Sequence, residues 1–498
     1  MFKNQVAEFI YKRTYSRWIE EENRREEWEE TIDRFLSFVI SERPDIPEKT
    51  QTKIKKYMME FGVMPSMRFL WAAGPAAKAD NTCIYNCSFA KINTVDAFAE
   101  CLYILMCGTG FGFSVEQEEV GKLPEIPEIS SGQALKKVVI EDSKAGWADS
   151  VRTLMQSLYA GQNVYFDYSE IRLEGARLKT MGGRASGPQP LVKLHDFIRE
   201  TMHNAQGRQL TSLECHDICN QIAEIVVVGG VRRSSQISLS DLHDKDMRHA
   251  KEWPYPIKRA MANNSAVYRE KPSAADFLKE WGSLALSGTG ERGIFNLEAA
   301  QSKAPSRRYA PLIQGTNPCG EIMLRDMEFC NLSEVVVRED DDLDSLLDKV
   351  ETATWLGVIQ SSFTYFPYLR NDWKKNCDVE ALLGVSLTGQ MDNPSLMNSE
   401  VFKALKSRVI RIARKASGIL GTKMPAATTC VKPSGTVSQL VDSASGVHPR
   451  YSEYYIRRYR ISAGDPLFAM MRDTGIPCHP ENGQTKETAN TWVLEFPV

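Results

Sequence analysis

Residues 315–335 read GTNPCGEIMLRDMEFCNLSEV. Asn317, Cys319 and Glu321 occupy every second position, with Pro318 and Gly320 between them, and a second thiol, Cys330, follows eleven residues after the first. In an extended segment alternate side chains point to the same side, so these three groups are expected on one face. Pro318 fixes φ and holds the residue before it extended. Gly320 permits a sharp bend or a close backbone approach. The reading is a stiff loop that presents an amide, a thiol and a carboxylate to one small volume. Such a trio suits chemistry at a hydroxylated carbon: the carboxylate takes a hydroxyl proton and the amide holds a neighbouring oxygen. A turn with a buried cysteine is the competing reading. Another thiol, Cys87, lies in YNCSFAKI at 85–92. Two thiols that meet act as a two-electron reductant by closing a disulfide.

The 498 residues are 42% apolar and 25% charged, the balance of a globular chain with room for a large core. Net charge is −3, from 61 basic and 64 acidic side chains, so no whole-chain field draws it to nucleic acid or an anionic membrane. No segment reaches the roughly 18 apolar residues of a membrane span. The opening MFKNQVAEFIYKRTY lacks the apolar region of a signal peptide. The expected location is cytoplasmic, with the eleven cysteines reduced and neither nucleic acid nor membrane as a partner.

Residues 5–45 read as helical, with an apolar stripe at Trp18, Ile32, Phe35, Leu36 and Val39. Residues 50–62 read as a second helix, ended by the turn GVMPS. IAEIVVVGGV at 222–231 reads as a buried strand running into a glycine turn. REDDDLDSLLDK opens a helical stretch over 338–370, where its acids suit a helix N-terminus. Proline and glycine are spread along the chain and mark no linker. The chain reads as α/β: a helical N-terminal region over 1–62, then one large domain over 63–498.

Other segments carry candidate anion-binding groups. VKPSGTVSQL at 431–440 sets Ser434, Gly435 and Thr436 after a proline, and MPSMRFLW at 64–71 holds Ser66 and Arg68. CGTGFGFS at 107–114 has the look of a glycine-rich nucleotide loop. KTMGGRASGPQPL at 179–191, with Lys179 and Arg184, and GGVRRSSQISL at 229–239, with Arg232 and Arg233, read as adaptable loops suited to phosphate or base contacts. Two C-x₃-C pairs, Cys83/Cys87 and Cys215/Cys219, raise a structural zinc site, but they lie far apart and a spacing of four also fits one helix face. A single Glu-x-x-His, Glu200 to His203, falls short of a di-iron bundle. No metal site is expected.

Taken in order, YKRTYSRW (11–18), MPSMRFLW, NCSF, GGRASGPQPL, DICNQIAEIVVVGGVRRSS, NNSAV, TNPCGEI, CNLSEV, VKPSGTV and WVLEFPV (492–498) make the chain resemble the catalytic chain of ribonucleotide reductases. The resemblance is strongest to the monomeric, adenosylcobalamin-dependent (class II) ribonucleoside-triphosphate reductases. It implies a ten-stranded α/β barrel of two antiparallel five-stranded halves around a finger loop near 315–325. It implies that Cys319 becomes a thiyl radical, that Glu321 accepts the 3′-hydroxyl proton and that Asn317 binds the sugar hydroxyls. Cys87 and Cys330 would deliver two electrons and close a disulfide, which a thiol reductant reopens. Ser66, Ser434, Gly435 and Thr436 would hold the substrate phosphates. Lys179, Arg184, Arg232 and Arg233 would lie in loops that answer a nucleoside triphosphate effector. Against the family pattern, no ATP-cone precedes residue 11, no C-terminal cysteine pair follows, and the segment between Ser114 and Gly146 is short, which implies an effector site formed in a homodimer. Adenosylcobalamin is the expected radical source. The alternative is a separate ferritin-like subunit. A non-catalytic nucleotide-binding paralogue is the remaining reading, and the thiols argue against it, since binding alone needs none.

Overall fold

A computed structural model describes residues 2–130, 137–176, 185–228, 235–482, 484–489 and 491–498. The N-terminal region holds helices Gln5–Thr14, Trp28–Glu42 and Glu48–Met59. Asn4 caps the first, its side-chain oxygen accepting the Ala7 N–H at 2.8 Å. The single helical stretch expected over 5–45 is broken: Trp18–Ile19 pairs antiparallel with Arg24–Arg25. The break is held by Glu26, a buried carboxylate that accepts from Arg34 Nε at 2.6 Å, Thr31 Oγ1 at 2.8 Å and the Arg17 N–H at 3.2 Å. These bonds override the helix propensity of the Glu- and Arg-rich run, as tertiary context does. Trp18 is therefore on the surface, off the expected stripe, while Ile32, Phe35, Leu36 and Val39 face the core. The layer packs on the far end of the chain, where the Phe9 ring lies 5.2 Å from Phe496 and 5.6 Å from Tyr459.

Six strands form the larger sheet, in the order Gly293–Asn296, Ala262–Tyr268, Gln236–Asp241, Gly110–Ser114, Cys87–Lys91, Glu328–Phe329. The first five run parallel and the last is antiparallel to Cys87–Lys91. Every residue of Gly110–Ser114 is buried, as expected of a parallel strand covered on both faces. Helices Val95–Met106, Lys144–Tyr159, Gln189–Asn204 and Ser212–Val228 pack together beside this sheet. The last corrects the strand expected at 222–231: residues 222–228 are helical, and 229–231 lie outside the described residues. Six of its buried positions, Cys215, Ile218, Cys219, Ile222, Ala223 and Val226, recur at three and four residues, and Ser212, His216, Asn220, Gln221 and Ile225 are buried beside them. That period belongs to a helix, and the β-branched run masks it.

A second sheet joins Val385–Thr388, Ser333–Val336 and Val63–Pro65, the first pair parallel and the second antiparallel. Val63–Pro65 replaces the turn expected at GVMPS. Thr429 adds a parallel bridge to Val385. Helix Leu343–Ser361 begins at Asp342, whose carboxylate accepts the Ser345 N–H at 2.8 Å, as the acidic run foretells, and it ends nine residues before 370. Between the two sheets sits a short antiparallel hairpin, Gly315–Thr316 with Met323–Leu324. One flank meets the larger sheet: a Cβ on Gly315 would fall 2.2 Å from the Phe89 ring, and one on Gly112 would fall 2.4 Å from the Thr316 carbonyl oxygen. The other flank meets the smaller sheet, with Ile322 Cδ1 3.0 Å from where a Gly384 Cβ would lie. Among the described residues no helix is long and apolar enough to cross a membrane.

Candidate active site

The loop of the hairpin, residues 317–322, carries Asn317, Cys319 and Glu321. They do not converge by strand alternation. The Gly320 N–H bonds to the Asn317 carbonyl at 2.9 Å, closing a turn over Pro318 and Cys319, and Gly320 takes φ +80°. Proline suits the second position of such a turn, and the positive φ favours glycine. Asn317 is fully buried and ties both feet of the loop together. Its N–H donates to the Ile322 carbonyl at 3.2 Å, its Oδ1 accepts the Ile322 N–H at 3.0 Å, and its Nδ2 donates to Glu321 Oε2 at 2.8 Å. Amide and carboxylate are thus one hydrogen-bonded unit at the base of the turn. Cys319 stands at the tip.

Two more thiols meet that tip. Cys87 opens its strand in the larger sheet and is in hydrogen-bond contact with both Cys319 and Cys330. Cys330 directly follows Glu328–Phe329, whose register pairs Phe329 with Ser88, and its N–H donates to the Cys87 carbonyl at 2.9 Å. Cys87 and Cys330 are therefore cross-strand neighbours. Facing residues of an antiparallel pair have Cα atoms roughly 4.5–5.5 Å apart, inside the range a disulfide spans. Both are buried, whereas Cys319 is exposed. Contact with Cys319 pulls the Cys87 thiol down, but contact with Cys330 and burial outweigh it and hold the thiol well above its ordinary value. Cys319 is raised as well, first by its contact with Cys87 and then by burial of the sulfur against it. Near neutral pH both stay as S–H.

Glu321 is raised above the usual carboxylate range by burial, against the Asn317 hydrogen bond and the Lys432 charge. Cys430 and Lys432 lie within electrostatic reach of this carboxylate. Lys432 Nζ lies 2.5 Å from Glu334 Oε1, and Ser434 Oγ donates to Glu334 Oε2 at 2.6 Å. Glu334 sits on the central strand of the smaller sheet, opposite Met64. Ser66 follows Pro65 on the edge of the same sheet, so the two predicted phosphate serines flank one strand. Each hydroxyl already has partners: Ser66 Oγ lies 3.3 Å from the Ile84 carbonyl and accepts the Phe69 N–H at 3.2 Å. Gly435 is exposed and Thr436 half-buried at the start of helix Thr436–Leu440. Arg68 turns inward, is buried and donates to the Cys107 carbonyl.

Of CGTGFGFS, residues 110–114 form a buried strand and not the expected loop. Gly110 and Gly112 lie under the hairpin, where a Cβ on Gly110 would come 3.1 Å from Cys87 Sγ and 3.3 Å from Pro318. Lys179, Arg184, Arg232 and Arg233 lie outside the described residues. The C-x₃-C pairs stay apart: Cys83 donates to the Asp80 carbonyl, Cys87 faces Cys319, and Cys219 is in contact with Cys101. Among the described residues no group of three or more His, Cys, Asp or Glu side chains is arranged to hold a metal ion. Three groups beside Glu321 escaped the sequence reading, namely Glu334, Cys430 and Lys432. The signal for the last was its place in VKPSG, two residues before Ser434.

A family model described as the ribonucleotide reductase alpha domain matches residues 1–75. An adenosylcobalamin-dependent ribonucleoside-triphosphate reductase of Levilactobacillus brevis is 29% identical over an alignment of 608 residues, covering 98% of this chain and 78% of that one. The chain is similar to ribonucleotide reductases over almost its whole length. The enzyme of the same name from Lactobacillus leichmannii is 26% identical, with the same coverage. Alignments this much longer than 498 residues mean that these reductases carry segments the chain lacks. A crystal structure of a B12-dependent (class II) ribonucleotide reductase superposes with a TM-score of 0.83 at 24% identity, over 99% of this chain and 81% of that one. The class Id ribonucleotide reductase alpha subunit of Actinobacillus ureae reaches a TM-score of 0.57 at 13% identity, over 95% of this chain and 79% of that one. At these identities the two structures share its α/β fold.

Proposed function

We propose that the protein is the catalytic subunit of a ribonucleotide reductase that makes 2′-deoxyribonucleotides by thiyl-radical chemistry, with adenosylcobalamin as its radical source. One observation carries this reading: three thiols, one exposed and two buried as cross-strand neighbours, meet beside a hydrogen-bonded Asn317–Glu321 pair. The tip of the turn fits a bulky cofactor. Cys319 is exposed there, and a Cβ on Gly320 would meet nothing within 4 Å, so Cys319 and Gly320 would face the group. When bound, adenosylcobalamin supplies the one-electron oxidising equivalent that leaves Cys319 as a thiyl radical.

Cys319 then takes the hydrogen from the ribose 3′ carbon, and Glu321 accepts the 3′-hydroxyl proton. A carboxylate raised toward neutrality serves best as a base near the working pH. The Asn317 amide holds a sugar hydroxyl while keeping Glu321 aimed. The 2′-hydroxyl leaves as water with a thiol proton. Cys87 and Cys330 contribute two electrons and two hydrogens in all and close a disulfide, Cys319 returns the hydrogen to the 3′ carbon, and Glu321 returns its proton to the 3′ oxygen. A dithiol reductant reopens the disulfide. The stiffness of the loop matters because hydrogen transfer needs a fixed aim.

The architecture that goes with this reading is a ten-stranded barrel of two five-stranded halves over residues 63–498, with the finger loop near 315–325 inside it and residues 1–62 as a helical layer. The five parallel strands of the larger sheet support one half, and the smaller three-stranded sheet with the Thr429 bridge would belong to the other. Ser66, Ser434, Gly435 and Thr436 hold the substrate phosphates. Lys179, Arg184, Arg232 and Arg233 belong to effector-responsive loops, completed by a second copy of the chain in a cytoplasmic homodimer. The test is anaerobic turnover of ribonucleotides with effector and dithiothreitol, with and without adenosylcobalamin. Product that needs the cofactor, and that disappears in Cys319→Ala while the far-ultraviolet dichroism is unchanged, is the expected result. Full activity in Cys319→Ala overturns the reading, and activity that appears only with an added ferritin-like subunit moves the radical source there.

A further inference from the structure

The amine of Lys144 is aimed at a sulfur. Lys144 opens helix Lys144–Tyr159, and its Nζ lies 3.0 Å from Sγ of Cys107, which caps the end of helix Val95–Met106. The carboxylate oxygen it pairs with, Asp80 Oδ2, is farther away at 3.6 Å. A lysine that served only as an ion-pair partner would close on the carboxylate to about 2.7–2.9 Å. Asp80 has other partners: the Tyr103 hydroxyl donates to Oδ2 at 2.8 Å and the Thr82 N–H to Oδ1 at 2.9 Å. The first turn of a helix also disfavours a cation, so the helix dipole gives no reason for a lysine at this position. The Tyr103 ring, its centroid 5.1 Å from the ammonium, holds the head group from another side. Cys107 is fully buried, whereas 30% of the lysine side chain is exposed, so the pair is open to a small solute from the lysine side. None of these side chains belongs to the candidate active site.

We propose that Cys107 and Lys144 form an oxidative modification site, at which a peroxide joins the sulfur to the nitrogen through one oxygen atom. The ammonium first gives a proton to solvent by way of Asp80, whose Oδ2 lies 3.6 Å from Nζ and 3.5 Å from Sγ. The thiol is oxidised to a sulfenic acid, and its oxygen then bonds to the adjacent nitrogen as a second peroxide is reduced. In the net step one S–H and one N–H bond break, and one S–O and one O–N bond form. Sulfur and nitrogen together give up four electrons to two molecules of hydrogen peroxide, from which one oxygen enters the bridge and three waters leave. Two equivalents of a dithiol reverse the step to thiol, amine and water. The bridge ties the end of one helix to the start of another that packs against it. It also lies next to the support of the hairpin: the Cys107 carbonyl accepts from Arg68, and Gly110, three residues on, lies under Cys87. The inference stands apart from the proposed reaction and does not depend on it.

The experiment treats the full chain, freed of reductant, with hydrogen peroxide and maps it by trypsin digestion and mass spectrometry, before and after dithiothreitol. Circular dichroism confirms that the treated chain is still folded. The expected product joins the tryptic peptide 92–122, through Cys107, to the peptide 138–152, in which the bond after Lys144 stays uncut. Its mass exceeds the sum of the two by about 14 Da, one oxygen gained and two hydrogens lost. Dithiothreitol should restore both peptides and the cut after Lys144. Lys144→Arg keeps the positive charge and should abolish the joined product, as should Cys107→Ser. The arginine variant carries the test alone if the serine variant does not fold. Three results overturn the inference: Cys107 carried to a sulfinic acid while Lys144 is cut as usual, Cys107 found in a disulfide with Cys83, or Cys107 left as a free thiol in a folded chain whose Cys319 has been oxidised.

Discussion

Gly112→Ala tests whether contact with the larger sheet sets the aim of Cys319. An added Cβ would lie 2.4 Å from the Thr316 carbonyl oxygen, 3.2 Å from Ile237 Cγ2 and 3.2 Å from the Ser88 carbonyl. The strand cannot retreat, because Gly112 is paired with Phe89 on one side and Ile237 on the other. The hairpin must yield, and restoring an ordinary 3.4 Å contact requires Thr316 to move by about 1 Å. Thr316 is the last strand residue before the loop that carries Cys319. A misplacement of about 1 Å costs on the order of 10²-fold in rate. Overpacking of this kind costs about 1–3 kcal/mol. For a chain of 498 residues that lowers the melting temperature by only about 1–3 °C. The assay is anaerobic turnover beside a thermal melt. Gly418→Ala is the control: it lies within helix Ser399–Leu420, where a Cβ meets nothing within 4 Å, and it should gain about 0.5–1 kcal/mol with turnover unchanged. Gly112→Ala with wild-type turnover would refute the claim that the sheet positions the thiol.

Three further outcomes follow. Asn317→Ala leaves the buried Ile322 N–H without its acceptor and frees Glu321; a stability loss of about 1–3 kcal/mol in denaturant titration and a larger fractional loss of turnover are expected. Cys330→Ser keeps the buried shape but removes half of the dithiol; in one anaerobic turnover without reductant the wild-type chain should lose two titratable thiols and the variant none. Glu328 is fully buried with Oε1 unpartnered, and burial, then Glu380, pushes it up to about 8. The folded state therefore holds a proton that the unfolded state releases from about pH 4.5 upward, so stability falls as pH rises from about 4.5 to about 8. Glu328→Gln should flatten that slope in melts taken across the window, and an unchanged slope would assign the pH dependence to other groups.

Much of the local structure was legible because it follows from short-range chemistry. The Asp342 cap, the helix it opens and the helix at Glu48–Met59 rest on contacts within a few residues. The Trp18 turn and the helix at 222–228 were misread. In the first, a buried Glu26 cluster overrides propensity; in the second, β-branched residues serve a helix packed on all sides. At the candidate site, residue types and spacing marked Asn317, Cys319 and Glu321 as a candidate trio against the competing reading of a turn with a buried cysteine, and the family resemblance added Cys87 and Cys330 as a pair. Their manner of convergence was not legible. A turn closed by Gly320, and not strand alternation, joins Asn317 to Glu321. Cys87 and Cys330 meet only because the Phe329–Ser88 register makes them neighbours across more than two hundred residues of chain. The sequence by itself determined which groups are candidates for the chemistry and that the chain bends beneath them. Only the tertiary structure decided which thiol stands exposed, which two face each other, and that Glu334 and Lys432 border the carboxylate, because those facts depend on sheet register and burial between segments that no local pattern links.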